Sequence, residues 1–148
     1  FNVYEWIKED SITQKIARLV SDENPDVLCL QDFHRNHEGS FPMYKYSYFY
    51  YKKANGNSGI AIFSKYKIIN KGSLNFPSKG NNGIYVDVLK DDDTLRVYNL
   101  HLESHRIVPE KEELTKENSE RLFKRMANTF TLQQTQAEIF EKHQKQSR

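Results

Sequence analysis

Seven polar side chains lie at the ends of apolar stretches of the sequence, and these residues are the ones that can carry chemistry. They are Gln31, Asp32, Ser64, Asn99, His101, Glu103 and Ser104. A carboxylate beside an amide suits a hard divalent ion such as Mg²⁺, which proteins usually hold through one or two carboxylates together with water and substrate phosphate. A nearby histidine can donate to a phosphate oxygen or transfer a proton. The inventory therefore favours metal-assisted phosphoryl chemistry.

Several other chemistries are disfavoured by the sequence. It contains no P-loop, no zinc-spaced set of cysteines and histidines, and no Gly-x-Ser-x-Gly turn. The aspartates Asp91–Asp93 lack the alternating spacing and the glycine of an EF-hand loop, so they are predicted to form an exposed hairpin tip. The formal net charge is +2 and charges of both signs are interspersed, so the charge pattern gives no indication of a polyelectrolyte partner.

The element that must position Asp32 is a short buried strand. Val27–Leu30 is a continuous apolar run that follows Asn24-Pro25, and its length favours a strand over a helix. An acid at the carboxyl end of such a strand is a candidate metal ligand or catalytic group. Alternatively, Asp32 only caps the turn that follows. Ahead of the strand, an amphipathic helix capped at Asp10 or Ser11 is predicted from the spacing of Ile12, Ile16, Leu19 and Val20.

Alternation and composition predict the remaining elements. Strands are expected at 44–51, 59–63 and 68–76, and a hairpin at 83–88 and 95–102. The tyrosine-rich strand 44–51 is expected to be half-buried sheet, although such a strand can also stack nucleic-acid bases. In the last arm Asn99, His101 and Glu103 share one face. Loops are predicted at Phe33–Pro42 and Ser104–Ser119. Two helical segments are expected after Pro109, one containing Leu122, Met126 and Phe130 and one containing Leu132, Ile139 and Phe140.

Three stretches, in this order, resemble the motifs of the endonuclease/exonuclease/phosphatase superfamily, whose members have the DNase I-like fold. They run from Asn24 to Asp32, from Ser58 to Tyr66 and from Tyr98 to Ser104. Gln133-x-x-Gln136-Ala137 also fits, although these glutamines are equally compatible with a solvated helix face. The resemblance implies a four-layered α/β sandwich, in which two packed mixed β-sheets lie between outer helices. It also implies hydrolysis of a phosphodiester or phosphomonoester with Mg²⁺ or Mn²⁺.

The resemblance implies roles for two residues. Asp32 falls at the position of the family's metal-binding glutamate, and His101 falls at that of a histidine that contacts the phosphate. Aspartate is shorter by roughly 1.5 Å, so the ion is expected to sit closer to the strand or to be reached through water. Asn99 and Ser104 flank the histidine and are candidates to help line the site. Asn2 is a candidate for the asparagine that closes the family's first strand, but its true counterpart is expected upstream of Phe1.

The chain is expected to be a single partial domain over residues 1–148 that lacks the C-terminal part. The family's Gly-Asp-x-Asn and Ser-Asp-His motifs do not occur in it, and the chain alone is therefore expected to be inactive. Two functions compete: a metal-dependent phosphoesterase, and a non-catalytic module that binds a phosphorylated ligand or a protein. A nucleic-acid-binding module is a third possibility, which the nearly balanced charge disfavours. Nucleic acid, inositol phosphate and phospholipid head groups are not distinguished as substrates.

Overall fold

The computed structural model describes residues 10–51, 53, 55–78, 80–104 and 116–147. Asn2 lies outside these residues, as does the segment 105–115 of the predicted second loop. The elements, in chain order, are α1 (Asp10–Glu23), β1 (Val27–His34), a 3-10 turn (Arg35–His37), β2 (Tyr46–Tyr50), β3 (Ser58–Ser64), β4 (Lys67–Ser73), β5 (Gly83–Lys90), β6 (Asp93–Leu100) and α2 (Lys116–Gln146).

Two three-stranded sheets form the centre of the fold. One has the strand order β1-β3-β2 and the other β4-β5-β6. All four strand pairings within the described residues are antiparallel, so the parallel pairing that the expected mixed sheets would contain does not occur among them. Helix α1 covers the outer face of the first sheet, and α2 covers the outer face of the second. The order of layers is therefore helix, sheet, sheet, helix, as predicted.

Successive side chains of a strand point to opposite faces of the sheet, and so contribute to different apolar clusters. In β1, Leu28 and Leu30 face α1, whereas Val27 and Cys29 face the other sheet. Apolar residues on both parities are needed because both faces of this strand are covered. The cluster between α1 and the first sheet contains Ile16, Val20, Leu28, Leu30, Phe33, Phe41, Tyr44, Ala61 and Phe63. The cluster between the sheets is built on Ile60, Ile62, Ile84, Val86 and Val88.

Helix α2 is attached to the second sheet mainly through aromatic contacts. The Tyr98 ring meets Phe140 edge-on with 5.0 Å between ring centroids. Its hydroxyl lies 3.0 Å from Nδ1 of His143, whose ring also packs 4.6 Å from that of Tyr85. A single helix of 31 residues replaces the two predicted helical segments. The helix continues without a break from the segment that contains Phe130 into the segment that contains Leu132.

Two further predictions about elements are wrong. β1 does not end at Asp32 but continues to His34, so Phe33 belongs to the strand and not to a loop. Phe33 is fully buried because the strand resumes its pairing with β3 after an irregularity. Leu19 was assigned to the buried face of α1, but it is 49% exposed. Its position lies at the margin of the stripe formed by Ile16 and Val20.

Other sequence predictions are confirmed. The three aspartates of the β5–β6 hairpin tip are exposed. The tyrosine-rich strand is half-buried sheet, since Tyr48 and Tyr50 pack toward the cluster between the sheets and Phe49 packs toward α1. Neither described helix combines the length and the apolar character needed to cross a membrane.

Candidate active site

Asp32 lies in a β-bulge inside β1. Leu30 pairs with Ala61 and Phe33 pairs with Gly59, so Gln31 and Asp32 together lie opposite one residue of β3. The extra residue is accommodated by Asp32 itself, whose φ is +51°. Aspartate tolerates this left-handed conformation better than most residues. A bulge bends the strand and re-aims a side chain, which leaves the Asp32 carboxylate 26% exposed on an otherwise buried strand.

His101 lies immediately after the end of β6 and faces the bulge. Its Nδ1 lies 3.8 Å from Oδ1 of Asp32, and its side chain is 20% exposed. The separation is too long for a hydrogen bond but short enough for an ion pair when the imidazole is protonated. The backbone N–H of His101 donates to the carbonyl of Asn82 at 2.9 Å, which fixes the chain at this point. The structure thus brings the two residues with predicted roles together.

Asn99 connects the two sheets beneath the candidate site. Its Nδ2 donates to the carbonyl of Leu30 at 2.9 Å and to that of Ala61 at 3.0 Å. The residue is only 4% exposed, so it supports the bulge and does not line the surface as the sequence suggested. Gln31 makes a second link of the same kind, from its Nε2 to the carbonyl of Leu100 at 2.6 Å. These two amides hold β1 beside β6.

The chain beyond His101 is held by side-chain amides on both sides. Asn81 donates from Nδ2 to the carbonyl of Leu102. The N–H of Glu103 donates to Oε1 of Gln136 at 2.9 Å, and Nε2 of Gln133 donates to the carbonyl of Glu103 at 2.6 Å. The residues that follow His101 therefore have a fixed backbone. This rigidity is what preorganised electrostatic stabilisation of a reacting group requires.

The sequence left the role of the two glutamines undecided between the family motif and a solvated helix face. Gln136 is completely buried. Its Nε2 has no hydrogen-bond partner among the residues that the structure describes. The sequence signal for a shared role was the spacing of three residues between Gln133 and Gln136, which places both glutamines on the same side of a helix.

The remaining candidates lie apart from the pair. Ser64 is fully buried at the end of β3, where its Oγ accepts from the N–H of Tyr66 at 3.0 Å. Glu103 uses one carboxylate oxygen to accept from Ser78 Oγ at 2.8 Å. Ser104 is exposed and lines a separate cleft against α2. Of the seven polar residues, only Asp32 and His101 thus face each other with partly exposed functional groups.

The Asp32–His101 pair fits one class of metal better than another. No group of three or more His, Cys, Asp or Glu side chains within the described part of the chain is placed to hold a metal ion. Zinc normally takes three or four protein ligands, so the described residues do not form a zinc site. Mg²⁺ needs only one or two carboxylates and takes water and substrate phosphate as its other ligands. Asp32 fits that requirement.

The sequence from residue 12 to residue 140 matches the model of the endonuclease/exonuclease/phosphatase family. The chain belongs to this family. The resemblance inferred from the three motifs is therefore confirmed. None of the curated proteins with which the sequence was compared matches it.

Solved structures show the same fold at low identity. A humanized TDP2 from D. rerio has a TM-score of 0.58 and 17% identity, over 72% of this chain and 46% of that chain. A family protein from Leptotrichia buccalis has a TM-score of 0.56 and 15% identity, over 84% and 60%. ANGEL2, described as a 2',3'-cyclic phosphatase, has a TM-score of 0.53 and 20% identity, over 61% and 31%. These similarities confirm the DNase I-like sandwich, and the chain spans less than two thirds of each of these structures.

Proposed function

We propose that this domain is part of a divalent-metal-dependent phosphoesterase that hydrolyses a phosphodiester or phosphomonoester. The observation that carries the proposal is the 3.8 Å approach of Asp32 and His101, which come from motifs far apart in the sequence. An acid suited to a hard cation and an imidazole suited to a phosphate oxygen thus face the same space. Membership of a family named for nucleases and phosphatases supports the same chemistry.

Asp32 is the proposed ligand of Mg²⁺ or Mn²⁺. Such an ion, when bound, neutralises negative charge on the phosphate oxygens and on the leaving oxygen. His101 is proposed to donate a hydrogen bond from its imidazole to a phosphate oxygen, and so to stabilise the charge that builds up there during hydrolysis. The hydrogen bonds that fix the backbone from His101 to Glu103 also fix the position from which the imidazole projects toward Asp32.

The substrate is proposed to be a phosphate ester. Another structure of ANGEL2 contains adenosine-2',3'-vanadate, in which vanadate occupies the place of a phosphate on a nucleoside. This supports a phosphate-like ligand for the shared fold. It does not separate nucleic acid, inositol phosphate and phospholipid head groups as substrates of this chain.

A non-catalytic module that binds a phosphorylated ligand is the second candidate function. It is favoured by the aspartate at the position where the family has a glutamate, and by the absence, among the described residues, of a group of three or more His, Cys, Asp or Glu side chains placed to hold a metal ion. For the same reason we propose that residues 1–148 alone do not hydrolyse substrate, since groups that act as a unit lose most of the rate when one is missing. A longer chain that carries the Gly-Asp-x-Asn and Ser-Asp-His motifs is expected to be active.

The test combines metal binding with hydrolysis. Mn²⁺ binding is measured by titration calorimetry for the wild type, for Asp32→Asn and for Asp92→Asn, which changes an exposed aspartate at the hairpin tip. Hydrolysis of bis-p-nitrophenyl phosphate is measured for the 148-residue chain and for the longer chain. Loss of Mn²⁺ affinity in Asp32→Asn only, with activity in the longer chain, supports the enzyme. Metal affinity that is equal in all three proteins removes Asp32 from the site. Phosphate binding without hydrolysis in the longer chain establishes the second function.

A further inference from the structure

A groove separate from the candidate active site runs along one side of the sandwich. There β2, at the edge of one sheet, approaches β4, at the edge of the other. The groove has a volume of about 410 Å³ and is lined by residues 45–47, at the start of β2, and by residues 68–71 of β4. Asp32 and His101 do not line it, so what the groove binds is independent of the proposed function.

Each wall of the groove carries a lysine without an acidic partner. Nζ of Lys45 lies 5.6 Å from the centroid of the Tyr46 ring, and Nζ of Lys71 lies 5.2 Å from that of the Tyr48 ring. Both lysines are exposed, and neither forms an ion pair with a residue that the structure describes. No Asp or Glu lies within four residues of either lysine in the sequence, and the lining contains none. The cation–π contacts hold the two ammonium groups without neutralising them, so the groove is positively charged.

The same groove exposes an apolar side chain. Ile69 is 48% exposed. The pairing of β4 with β5 changes register between Ile68 and Asn70, so Ile69 lies in a bulge, whereas Ile68 packs against the cluster between the sheets. An exposed isoleucine beside two uncompensated lysines suits a ligand that has both carboxylates and apolar side chains.

The outer edge of β2 provides backbone groups for such a ligand. Alternate residues of an edge strand direct their N–H and C=O groups away from the sheet. Within the described part of the chain, the backbone of β2 pairs with β3 alone. On the opposite wall, the N–H of Lys71 already donates to Oδ1 of Asn70 at 2.9 Å. The free edge of the groove is therefore that of β2.

Lysines and a bulge on an edge strand also protect a protein from pairing with a second copy of itself. Protection explains Lys71 and the bulge, but it does not explain Ile69, because an exposed apolar side chain favours association. A second copy would bring the same lysines against each other. A nucleic acid is disfavoured because two lysines neutralise few phosphates.

We propose that this groove binds an extended acidic segment of a partner protein. The backbone of the segment pairs with the outer edge of β2, its carboxylates meet Lys45 and Lys71, and an apolar side chain packs on Ile69. This is the addition of a strand to an exposed sheet edge, in which the main chain supplies affinity and the side chains supply specificity.

The test uses fluorescently labelled peptides with the repeat Glu-Glu-Val-Val, which presents both residue types on each face of an extended chain. A peptide with the repeat Lys-Lys-Val-Val is the control. Binding is measured by fluorescence anisotropy for the wild type, Lys45→Gln, Lys71→Gln, the double Gln variant, the double variant Lys45→Glu/Lys71→Glu and Ile69→Ser. Lys142→Gln removes an exposed lysine of α2 that does not line the groove. Circular dichroism checks the fold of each variant, and sedimentation measures self-association.

The wild type and Lys142→Gln are expected to bind the acidic peptide equally and to prefer it to the basic one. Affinity is expected to fall about threefold in each single Gln variant and about tenfold in the double Gln variant, from the usual strength of exposed charge pairs. Ile69→Ser should weaken binding about threefold, and the double Glu variant should prefer the basic peptide.

Three results would overturn the proposal. The first is an acidic peptide that does not bind, or that binds all variants equally. The second is self-association of the double Gln variant without peptide binding by the wild type, which would make the lysines an edge protection. The third is binding of a thymidine oligonucleotide that depends on the two lysines, without binding of the peptide. Hydrolysis is not measured, so none of these results bears on the proposed function.

Discussion

Replacing Asn99 with alanine removes the two hydrogen bonds that join the sheets directly beneath the Asp32 bulge. In the wild type, Nδ2 donates to the carbonyls of Leu30 and Ala61 at 2.9 and 3.0 Å. Both carbonyls belong to residues that are completely buried, so water does not replace the lost donor without opening the sandwich. We expect the variant to be clearly destabilised.

The magnitude follows from these contacts. Each buried hydrogen bond contributes about 1 kcal/mol to stability, so two contribute about 2 kcal/mol. The space left by the shortened side chain costs about 1 kcal/mol more. For a chain of this size, 1 kcal/mol corresponds to roughly 4 °C in Tm. The expected loss is therefore about 3 kcal/mol in the free energy of unfolding and about 12 °C in Tm.

Thermal unfolding followed by circular dichroism measures this change. Asn36→Ala is the matched control, because Asn36 is exposed in the turn after β1, and its Tm is expected to stay within about 2 °C of the wild type. The fold of Asn99→Ala should remain intact at low temperature. If Asn99→Ala unfolds at the same temperature as Asn36→Ala, the two inter-sheet hydrogen bonds do not stabilise the sandwich, and the support assigned to the bulge is wrong.

Three further variants test other contacts. Gly59→Ala places a Cβ 2.1 Å from the carbonyl oxygen of Tyr50, so the free energy of unfolding is expected to fall by about 3 kcal/mol. The control Gly39→Ala has nothing within 4 Å of the added Cβ and should leave the stability unchanged. Equal Tm values for the two variants would contradict the close approach of Gly59 to Tyr50. In a longer chain that carries the Gly-Asp-x-Asn and Ser-Asp-His motifs, His101→Ala is expected to lower kcat about 10²-fold with little change in Tm. Full activity at a lowered Tm would make the histidine structural. Burial and the nearby Arg96 lower the pKa of His143 from 6.5, so the folded state favours the neutral ring. The stability gained from the neutral His143 ring is fully present above pH 6.5 and is lost as the pH falls below that value. The fall in Tm between pH 7.5 and pH 5 should therefore be smaller in His143→Gln than in the wild type. An equal fall in both proteins would show that His143 does not contribute to the pH dependence of stability.

Local pattern was enough to place most strands and the first helix. Short stretches rich in apolar residues over 27–30, 59–63 and 83–88 predicted strands. Such stretches are apolar on both parities because the side chains of a strand point in two directions, and each direction here meets a covered face. The motif around Asp32 and that around His101 identified the family for a related reason, since each is a short stretch that can be recognised without knowing its partner.

Tertiary structure alone decided how these stretches meet. β1 was predicted to stop at Asp32 because polar residues follow the apolar run, but pairing with Ser58 and Gly59 of β3 extends the strand to His34. The bulge depends on the register between two strands that are distant in sequence, and a periodic pattern within one strand does not contain that register.

The buried amide side chains could not be predicted from the sequence for the same reason. The sequence alone does not distinguish a buried asparagine or glutamine from a solvated one. Whether the amide has hydrogen-bond partners depends on the position of neighbouring carbonyl groups in the folded chain. Asn99 and Gln136 acquire their partners from strands and loops that are more than 30 residues away in the sequence. The 3.8 Å approach of Asp32 and His101 arises in the same way, from the packing of β1 against β6. The sequence identified the residues whose side chains suit metal and phosphate chemistry, and the packing of the two sheets determined that two of them face each other.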